Sequence, residues 1–104
     1  MSDEISQIRP QSSRREIADY MNRAFDTSDV AAISQAIGDV IRLHNISDVA
    51  KTAGLERPSI YRAFGGRQSP NLSTVLAVLK AMGFKLQVTQ LHGNRTKETK
   101  SLRR

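Results

Sequence analysis

The chain has 104 residues, the length of one ordinary domain, and 38% of them are apolar, which is enough for one modest core. Lysine and arginine outnumber aspartate and glutamate by 16 to 10, so the formal net charge of +6 leads us to expect an anionic partner. The absence of cysteine excludes disulfides, thiolate metal sites and cysteine nucleophiles, and the two histidines lie far apart. We therefore expect no enzyme, no metal or cofactor and no small-molecule substrate. No apolar run is long enough to span a membrane, and the polar N-terminus does not resemble a signal peptide.

The first helix is expected after a short polar arm. Residues 1–12 show little periodicity, which predicts a flexible N-terminal arm. Ser13 and Glu16 have the spacing of a capping box, and a helix is predicted over residues 14–25. Four large side chains form its apolar stripe: Ile17, Tyr20, Met21 and Phe25. We expect this stripe in the core, and its other interpretation is a docking face for a partner protein.

A second helix is expected after the polar break at residues 26–29. Apolar side chains recur at helical spacing from Val30 to His44, which predicts a buried face of about four turns. Ser47 is a good N-cap for a short third helix that ends at Ala53. The glycine that follows suits a left-handed position because it carries no Cβ.

Two further helices complete the helical part. The fourth is predicted over residues 57–64, where Pro58 is tolerated because an N–H in the first turn has no partner in any case. Two glycines end it, and a basic loop follows. Asn71 is then expected to cap a fifth helix, which Gly83 closes.

The pattern changes after the fifth helix. Over residues 84–91 apolar and polar side chains alternate, with Phe84, Leu86 and Val88 on one side, and this alternation predicts a strand. A single strand is not stable in water, so a second copy of the chain is the simplest pairing partner. These three residues are therefore our candidates for dimerisation. The basic tail, residues 92–104, is predicted to be disordered.

The sequence thus predicts one all-α domain of five helices with a short C-terminal β-strand, at residues 13–91. Its N-terminal helices occupy residues 13–44. Residues 46–83 follow the order short helix, glycine turn, short helix, basic loop and helix, which is typical of a helix-turn-helix. The second helix of such a unit can enter the DNA major groove, because the groove is wide enough for a helix.

The candidate DNA contacts follow from this arrangement. Arg57 lies at the N-terminal end of the second helix of the unit, where an arginine can grip O6 and N7 of guanine. The base-reading candidates are Arg57, Pro58, Ser59, Tyr61 and Arg62. The candidates for contacts to the DNA backbone are Ser47, Lys51, Arg67, Gln68, Asn71 and Ser73. The last of these lie at the start of the fifth helix, whose free N–H groups favour a phosphate.

Several runs of the sequence resemble a known family. The run ISDVAKTAGL at residues 46–55 resembles the first half of an XRE/Cro-type helix-turn-helix. The runs SIYRAF at 59–64, NLSTVL at 71–76 and LKAMG at 79–83 are similar to the addiction-module antidote proteins, which are HigA-like antitoxins of type II toxin–antitoxin pairs. The run IGDVIR at 37–42 also fits that family, and the resemblance covers about residues 17–90.

The resemblance implies a cytoplasmic homodimer that binds double-stranded DNA at its own pseudo-palindromic operator and so associates with the nucleoid. It also implies a partner toxin, a small basic RNase of the RelE/HigB type, for which the stripe of the first helix is the candidate docking face. The chain departs from the wider XRE pattern at two points. Ser47 and Asp48 occupy the region where a glutamine is common, and Pro58 occupies the place of a polar base-reading residue.

Two other functions remain open at this point. A stand-alone transcriptional regulator would bind DNA in the same way but have no toxin partner, and the residues do not separate it from an antitoxin. A helical protein-interaction module would bind no nucleic acid. The clustering of Arg57, Arg62 and Arg67 argues against this last function.

Overall fold

The structure is a computed structural model that describes residues 8–66 and 69–91 of the chain. The described residues form five helices, which we number in chain order: α1 (Arg14–Asp26), α2 (Val30–Ile41), α3 (Ile46–Ala53), α4 (Arg57–Ala63) and α5 (Leu72–Ala81). The predicted all-α architecture is therefore confirmed for these residues. Within the same ranges, every helix is too short or too polar to cross a membrane.

The N-terminal pair, α1 and α2, begins as the sequence indicates. Ser13 and Glu16 form both halves of the capping box at the start of α1. Asp29 caps α2, because its carboxylate accepts a hydrogen bond from the N–H of Ala31 at 3.0 Å. The two helices pack against each other along their apolar faces. The α2 helix itself ends at Ile41, one turn before the predicted limit at His44, and the intervening residues form turns.

The core lies where α1, α2, α3 and α5 meet, and α2 runs through its centre. Ile37 and Val40 of α2 and Val78 of α5 have no exposed surface at all. The buried apolar side chains of the cluster are Ile17, Met21, Ile37, Val40, Ile41, Val49, Ala50, Ile60, Phe64, Val75, Val78, Leu79 and Met82. One such cluster is the single modest core that the composition predicted.

The α2 helix also contacts the end of α4. The Ser34 hydroxyl donates to the carbonyl of Ala63 at 3.3 Å, and Ser34 is the one fully buried polar side chain of the described residues. One turn later, an added Cβ at Gly38 would lie 3.1 Å from the carbonyl oxygen of Phe64. Glycine at this position therefore lets α2 approach α4 closely.

The start of α3 differs from the prediction. Ser47 is not its N-cap, since Asn45 holds that position and its side-chain oxygen accepts from the N–H groups of Ser47 (2.9 Å) and Asp48 (3.2 Å). Asparagine and serine are about equally good N-caps, so the local signal did not distinguish them. The earlier start places Ile46 within the helix, packed against the core. It also leaves the Ser47 hydroxyl free of the cap.

The packed domain begins earlier than the predicted boundary. Ile8 is half-buried and packs against the core. A turn follows it, in which Arg9 N–H donates to the Ser12 hydroxyl and Ser12 N–H donates to the Arg9 carbonyl, both at 2.9 Å. Ile8 and this turn thus adjoin the core within the arm predicted over residues 1–12, and residues 1–7 lie outside the described part.

The strand predicted over residues 84–91 is not confirmed. These residues form neither helix nor strand, and only Phe84 of them packs against the core. Beyond it, Leu86, Val88 and Leu91 are exposed. A strand needs a neighbouring strand to complete its hydrogen bonds, and the described residues of one chain provide none. The predicted tail, residues 92–104, lies outside the described part.

Candidate nucleic-acid interface

The candidate interface is the corner formed by α3, the Gly54 turn and α4. Gly54 has a φ of 75°, and two hydrogen bonds close the helix end, from Gly54 N–H to the Lys51 carbonyl (3.2 Å) and from Leu55 N–H to the Ala50 carbonyl (2.9 Å). This pair of bonds is the Schellman arrangement, which turns the chain sharply after a helix. Ala50 of α3 and Ile60 of α4 are buried, so the inner side of the corner belongs to the core.

The outer side of the corner is an open groove of about 760 Å³. It is lined by residues of both helices and of the turn: Ser47, Ala50, Lys51, Leu55, Glu56, Arg57, Pro58, Tyr61 and Arg62. Six of these were singled out from the sequence as base-reading or backbone-contacting candidates. The seventh candidate of this region, Ser59, is half-buried and does not line the groove.

The groove carries an excess of positive charge. Lys51, Arg57 and Arg62 are all exposed there, against one carboxylate, that of Glu56. Neither arginine forms an ion pair within the described ranges 8–66 and 69–91. Their side-chain partners are neutral, since Arg57 donates to the Ser47 hydroxyl and Arg62 to the Ser59 hydroxyl, both at 3.4 Å. An uncompensated cationic groove of this kind attracts an anion such as a phosphate.

The groove is also partly apolar. The Tyr61 side chain is 55% exposed, and Pro58 sits in the first turn of α4 with its ring at the surface. An exposed aromatic ring next to cations can contact a base or a thymine methyl as well as a phosphate. The chemistry of the corner thus suits a nucleic acid better than it suits a small anion.

Of the residues at the start of α5 that were predicted to contact the DNA backbone, the structure describes Asn71 and Ser73. Asn71 is the N-cap, whose side-chain oxygen accepts from Thr74 N–H at 2.9 Å and from the Ser73 hydroxyl at 3.0 Å. Both predicted side chains are therefore engaged in the cap, although both are exposed. Arg67 and Gln68, which precede them, lie outside the described residues.

The predicted docking stripe on α1 is divided between the core and the surface. Ile17 and Met21 are buried and offer no surface to a partner, whereas Tyr20 and Phe25 are half-buried. The Tyr20 hydroxyl donates to Asp39 at 2.5 Å, and burial together with this carboxylate raises the Tyr20 pKa to about 12.

Sequence reasoning missed Asp39, which joins α1 to α2. Besides Tyr20, its carboxylate accepts from Gln35 at 3.0 Å and from Arg42, which forms an ion pair with it. The spacing of these two partners, four residues before and three residues after Asp39, is the signal that would have found this group.

No metal centre competes with this interpretation among the described residues, which contain no cluster of three or more histidine, aspartate or glutamate side chains placed to hold an ion. Two smaller hollows lie elsewhere in the described part of the chain. One of about 270 Å³ lies between α1 and α2 beside Tyr20, and one of about 60 Å³ lies beside Phe84.

Comparisons with known proteins place the chain in a family. Residues 5–90 match the family model described as "probable addiction module antidote protein". An uncharacterized protein of Haemophilus influenzae is 36% identical over 78 residues, which cover 75% of this chain and 80% of that protein. No solved structure matches the chain. The chain belongs to the family of addiction module antidote proteins, whose members are antitoxins of a partner toxin.

Proposed function

We propose that the chain is an antitoxin that also represses its own gene, by binding a pseudo-palindromic operator as a homodimer. The observation that carries this proposal is the cationic groove at the α3–α4 corner, where Lys51, Arg57 and Arg62 meet beside an exposed Tyr61. Family membership supports the antitoxin role, and the groove supports the operator-binding role.

We expect B-form DNA to receive α4 in its major groove. The base-reading candidates that line the corner, Arg57, Pro58, Tyr61 and Arg62, would then face base edges, as in other helix-turn-helix proteins, whereas Ser59 is half-buried. Lys51, Asn71 and Ser73 would then lie beside the sugar–phosphate backbone, although the hydroxyl of Ser73 already donates to Asn71. Arg67 and Gln68, two other predicted backbone contacts, lie outside the described residues. The basic groove supplies the sequence-independent attraction on which such recognition depends.

We infer a homodimer from the two half-sites of a pseudo-palindromic operator. Two α4 helices would read successive major grooves on one face of the duplex if they lay about 34 Å, one helical turn, apart. The segment after α5 is the candidate for joining the two copies, since its exposed Leu86 and Val88 and the adjoining Phe84 have the alternation of a strand. Pairing with the same segment of a second copy would supply the missing hydrogen-bond partner.

The toxin is expected to be a small basic protein of the RelE/HigB type, met in the bacterial cytoplasm, where the operator complex is associated with the nucleoid. Of the four side chains on the predicted docking stripe, Tyr20 and Phe25 retain surface for such a partner. They lie on the α1 helix, whereas the groove lies on α3 and α4. A toxin on α1 would therefore leave the groove open to DNA.

A reporter placed behind the chain's own upstream region tests the repressor role in cells. We expect the wild-type chain to lower reporter output, and the double substitution Arg57→Ala with Arg62→Ala to restore it. Equal output with and without the wild-type chain would refute repression. Arg15→Ala, on the exposed side of α1, is the matched control because it removes a positive charge away from the groove.

Co-expression with the neighbouring gene tests the antitoxin role separately. We expect the product of that gene to arrest growth when expressed alone, and to co-purify with this chain when both are made. A neighbour that is harmless and does not co-purify would leave a stand-alone regulator as the better function.

A further inference from the structure

The Ser47 hydroxyl lines the groove but does not cap α3, which is the role that the sequence predicted for it. Asn45 caps α3, and the backbone N–H of Ser47 is already bound to the Asn45 side chain at 2.9 Å. The hydroxyl is therefore free to accept a hydrogen bond from elsewhere. It accepts one from Arg57, ten residues later, on the other helix of the corner.

The contact between Ser47 and Arg57 links α3 to the N-terminal end of α4. Arg57 donates from one Nη atom at 3.4 Å, and both residues line the groove. Because a guanidinium carries five N–H donors and this bond uses one, four remain for a base edge. Because the serine is neutral, this bond does not reduce the positive charge of Arg57.

Arg62, the second arginine of the groove, also donates to a serine, so its hydrogen bond can be compared with that of Arg57. Arg62 donates to Ser59 at the same distance of 3.4 Å, but both residues belong to α4 and are three positions apart. The spacing of Ser59 and Arg62 along α4 is enough to bring these two side chains together. The contact of Arg57 with Ser47 requires α3 and α4 to be docked at the observed angle, so it ties the direction of the arginine to the corner.

We propose that Ser47 is a positioning residue for Arg57, which holds the guanidinium over the groove in the direction from which it reads a base, rather than a contact to the DNA backbone. This inference rests on the proposed function. Ordering a long side chain before binding reduces the entropy lost on binding, so the benefit falls on the base that Arg57 reads. A backbone contact by Ser47 would instead strengthen binding to every sequence alike.

Selection from a library of random duplexes tests the inference, because such a selection requires no defined operator sequence. The wild-type chain and the variants Arg57→Ala, Ser47→Ala, Ser47→Thr and Thr52→Ala would each be used to enrich bound duplexes, which are then sequenced. Far-UV circular dichroism would confirm the helical content of every variant. Ser47→Thr keeps a hydroxyl at the same place, and Thr52→Ala removes an exposed hydroxyl of α3 that does not line the groove.

We expect Arg57→Ala to abolish the preference at one base position of each half-site. Ser47→Ala should lower the preference at that same position by about three- to tenfold, the size expected for one hydrogen bond. Ser47→Thr should retain it, and Thr52→Ala should leave that position unchanged. The combination of Ser47→Ala with Arg57→Ala should match Arg57→Ala alone at that position.

Three results would overturn the inference. The first is a Ser47→Ala variant that keeps the wild-type preference at the Arg57 position. The second is a loss that is uniform over all sequences and adds to that of Arg57→Ala, which would assign Ser47 to the backbone. The third is an Arg57→Ala variant that keeps every preference. If the wild-type chain itself enriched no sequence, the proposed operator binding would fail, and the inference would fail with it.

Discussion

Two helices of this protein, α3 and α5, each end in a glycine turn of the same type, but the segments that follow the two turns differ in structure. After α3, Gly54 has a φ of 75°, and after α5, Gly83 has a φ of 90°. At both ends the glycine and the next residue donate backwards in the Schellman pattern, with Phe84 N–H bound to the Leu79 carbonyl at 2.8 Å. Beyond Gly54 the chain folds into α4, whereas the described residues beyond Gly83, 84–91, form neither helix nor strand.

The difference lies in what the following residues can bury. Beyond Gly54, Leu55 packs against the core and Ile60 is only 1% exposed, so α4 is held by its inner face. Among the described residues beyond Gly83, Phe84 alone packs against the core, and Val88 is 96% exposed. A glycine signal therefore determines where the chain turns, while the buried surface available afterwards determines whether the next segment becomes regular.

The largest effect on the free energy of unfolding is expected when the buried side chain of Ile60, beyond the Gly54 turn, is truncated. Ile60→Ala should lower the free energy of unfolding by about 2–5 kcal/mol, because it leaves a cavity in the core. Val88→Ala, beyond the Gly83 turn, should change it by less than about 0.5 kcal/mol. Urea denaturation at low chain concentration measures both. Equal losses would show that the two segments are buried to the same extent.

The two turn glycines should differ when each is replaced by alanine. Gly54→Ala should cost about 1–2 kcal/mol, because an alanine is strained at positive φ although open space surrounds the added Cβ. Gly83→Ala should cost about 1 kcal/mol more, since its Cβ would also displace the guanidinium of Arg14 from its hydrogen bonds. Thermal and urea unfolding of the two variants compare them directly. A larger loss for Gly54→Ala would contradict the account.

Arg14 is the residue that holds the start of the segment beyond Gly83. It donates to the carbonyls of Met82 (2.9 Å) and Gly83 (3.3 Å), and its Cζ lies 4.7 Å from the centre of the Phe84 ring. Arg14→Ala should lower the free energy of unfolding by about 1–2 kcal/mol. It should also speed proteolytic cleavage after Lys85. Arg15→Ala is the control, and equal effects of the two substitutions would remove Arg14 from this role.

The smallest effect on the single chain is expected at Val88. Val88→Asp should change the free energy of unfolding of the monomer by less than about 0.5 kcal/mol, because the side chain is exposed. If the segment pairs with a second copy, the same substitution should weaken the dimer measurably in sedimentation equilibrium. Gln87→Asp, a neighbour that also introduces a charge, would point to the opposite side of the strand and should weaken it less. A dimer that tolerates both charges would exclude this segment from the interface.

The sequence was sufficient for features that are set locally. The capping box of Ser13, the cap of Asn71 and the two glycine turns are each decided by a few neighbouring residues, and each was predicted correctly. The start of α3 was predicted wrongly because two adequate caps, Asn45 and Ser47, lie two residues apart. Only the packing of Ile46 against the core distinguishes them.

The sequence pattern predicted which residues share the groove, but it did not predict contacts between distant parts of the chain. The groove brings together most of the residues predicted for it, because they share the outer face of one corner. The bond from Arg57 to Ser47 and the close approach of Gly38 to Phe64 depend on how the helices pack. The alternation at residues 84–91 predicts a strand, but one chain cannot supply the strand beside it.

Specific operator binding can be measured by fluorescence anisotropy of the purified chain against its own upstream DNA. A scrambled duplex of equal length and composition would be measured beside it, both across a salt series. We expect the native duplex to bind at least about a thousandfold more tightly than the scrambled one. Equal affinities that fall together with salt would contradict it, since the groove would then provide only a nonspecific attraction for phosphates.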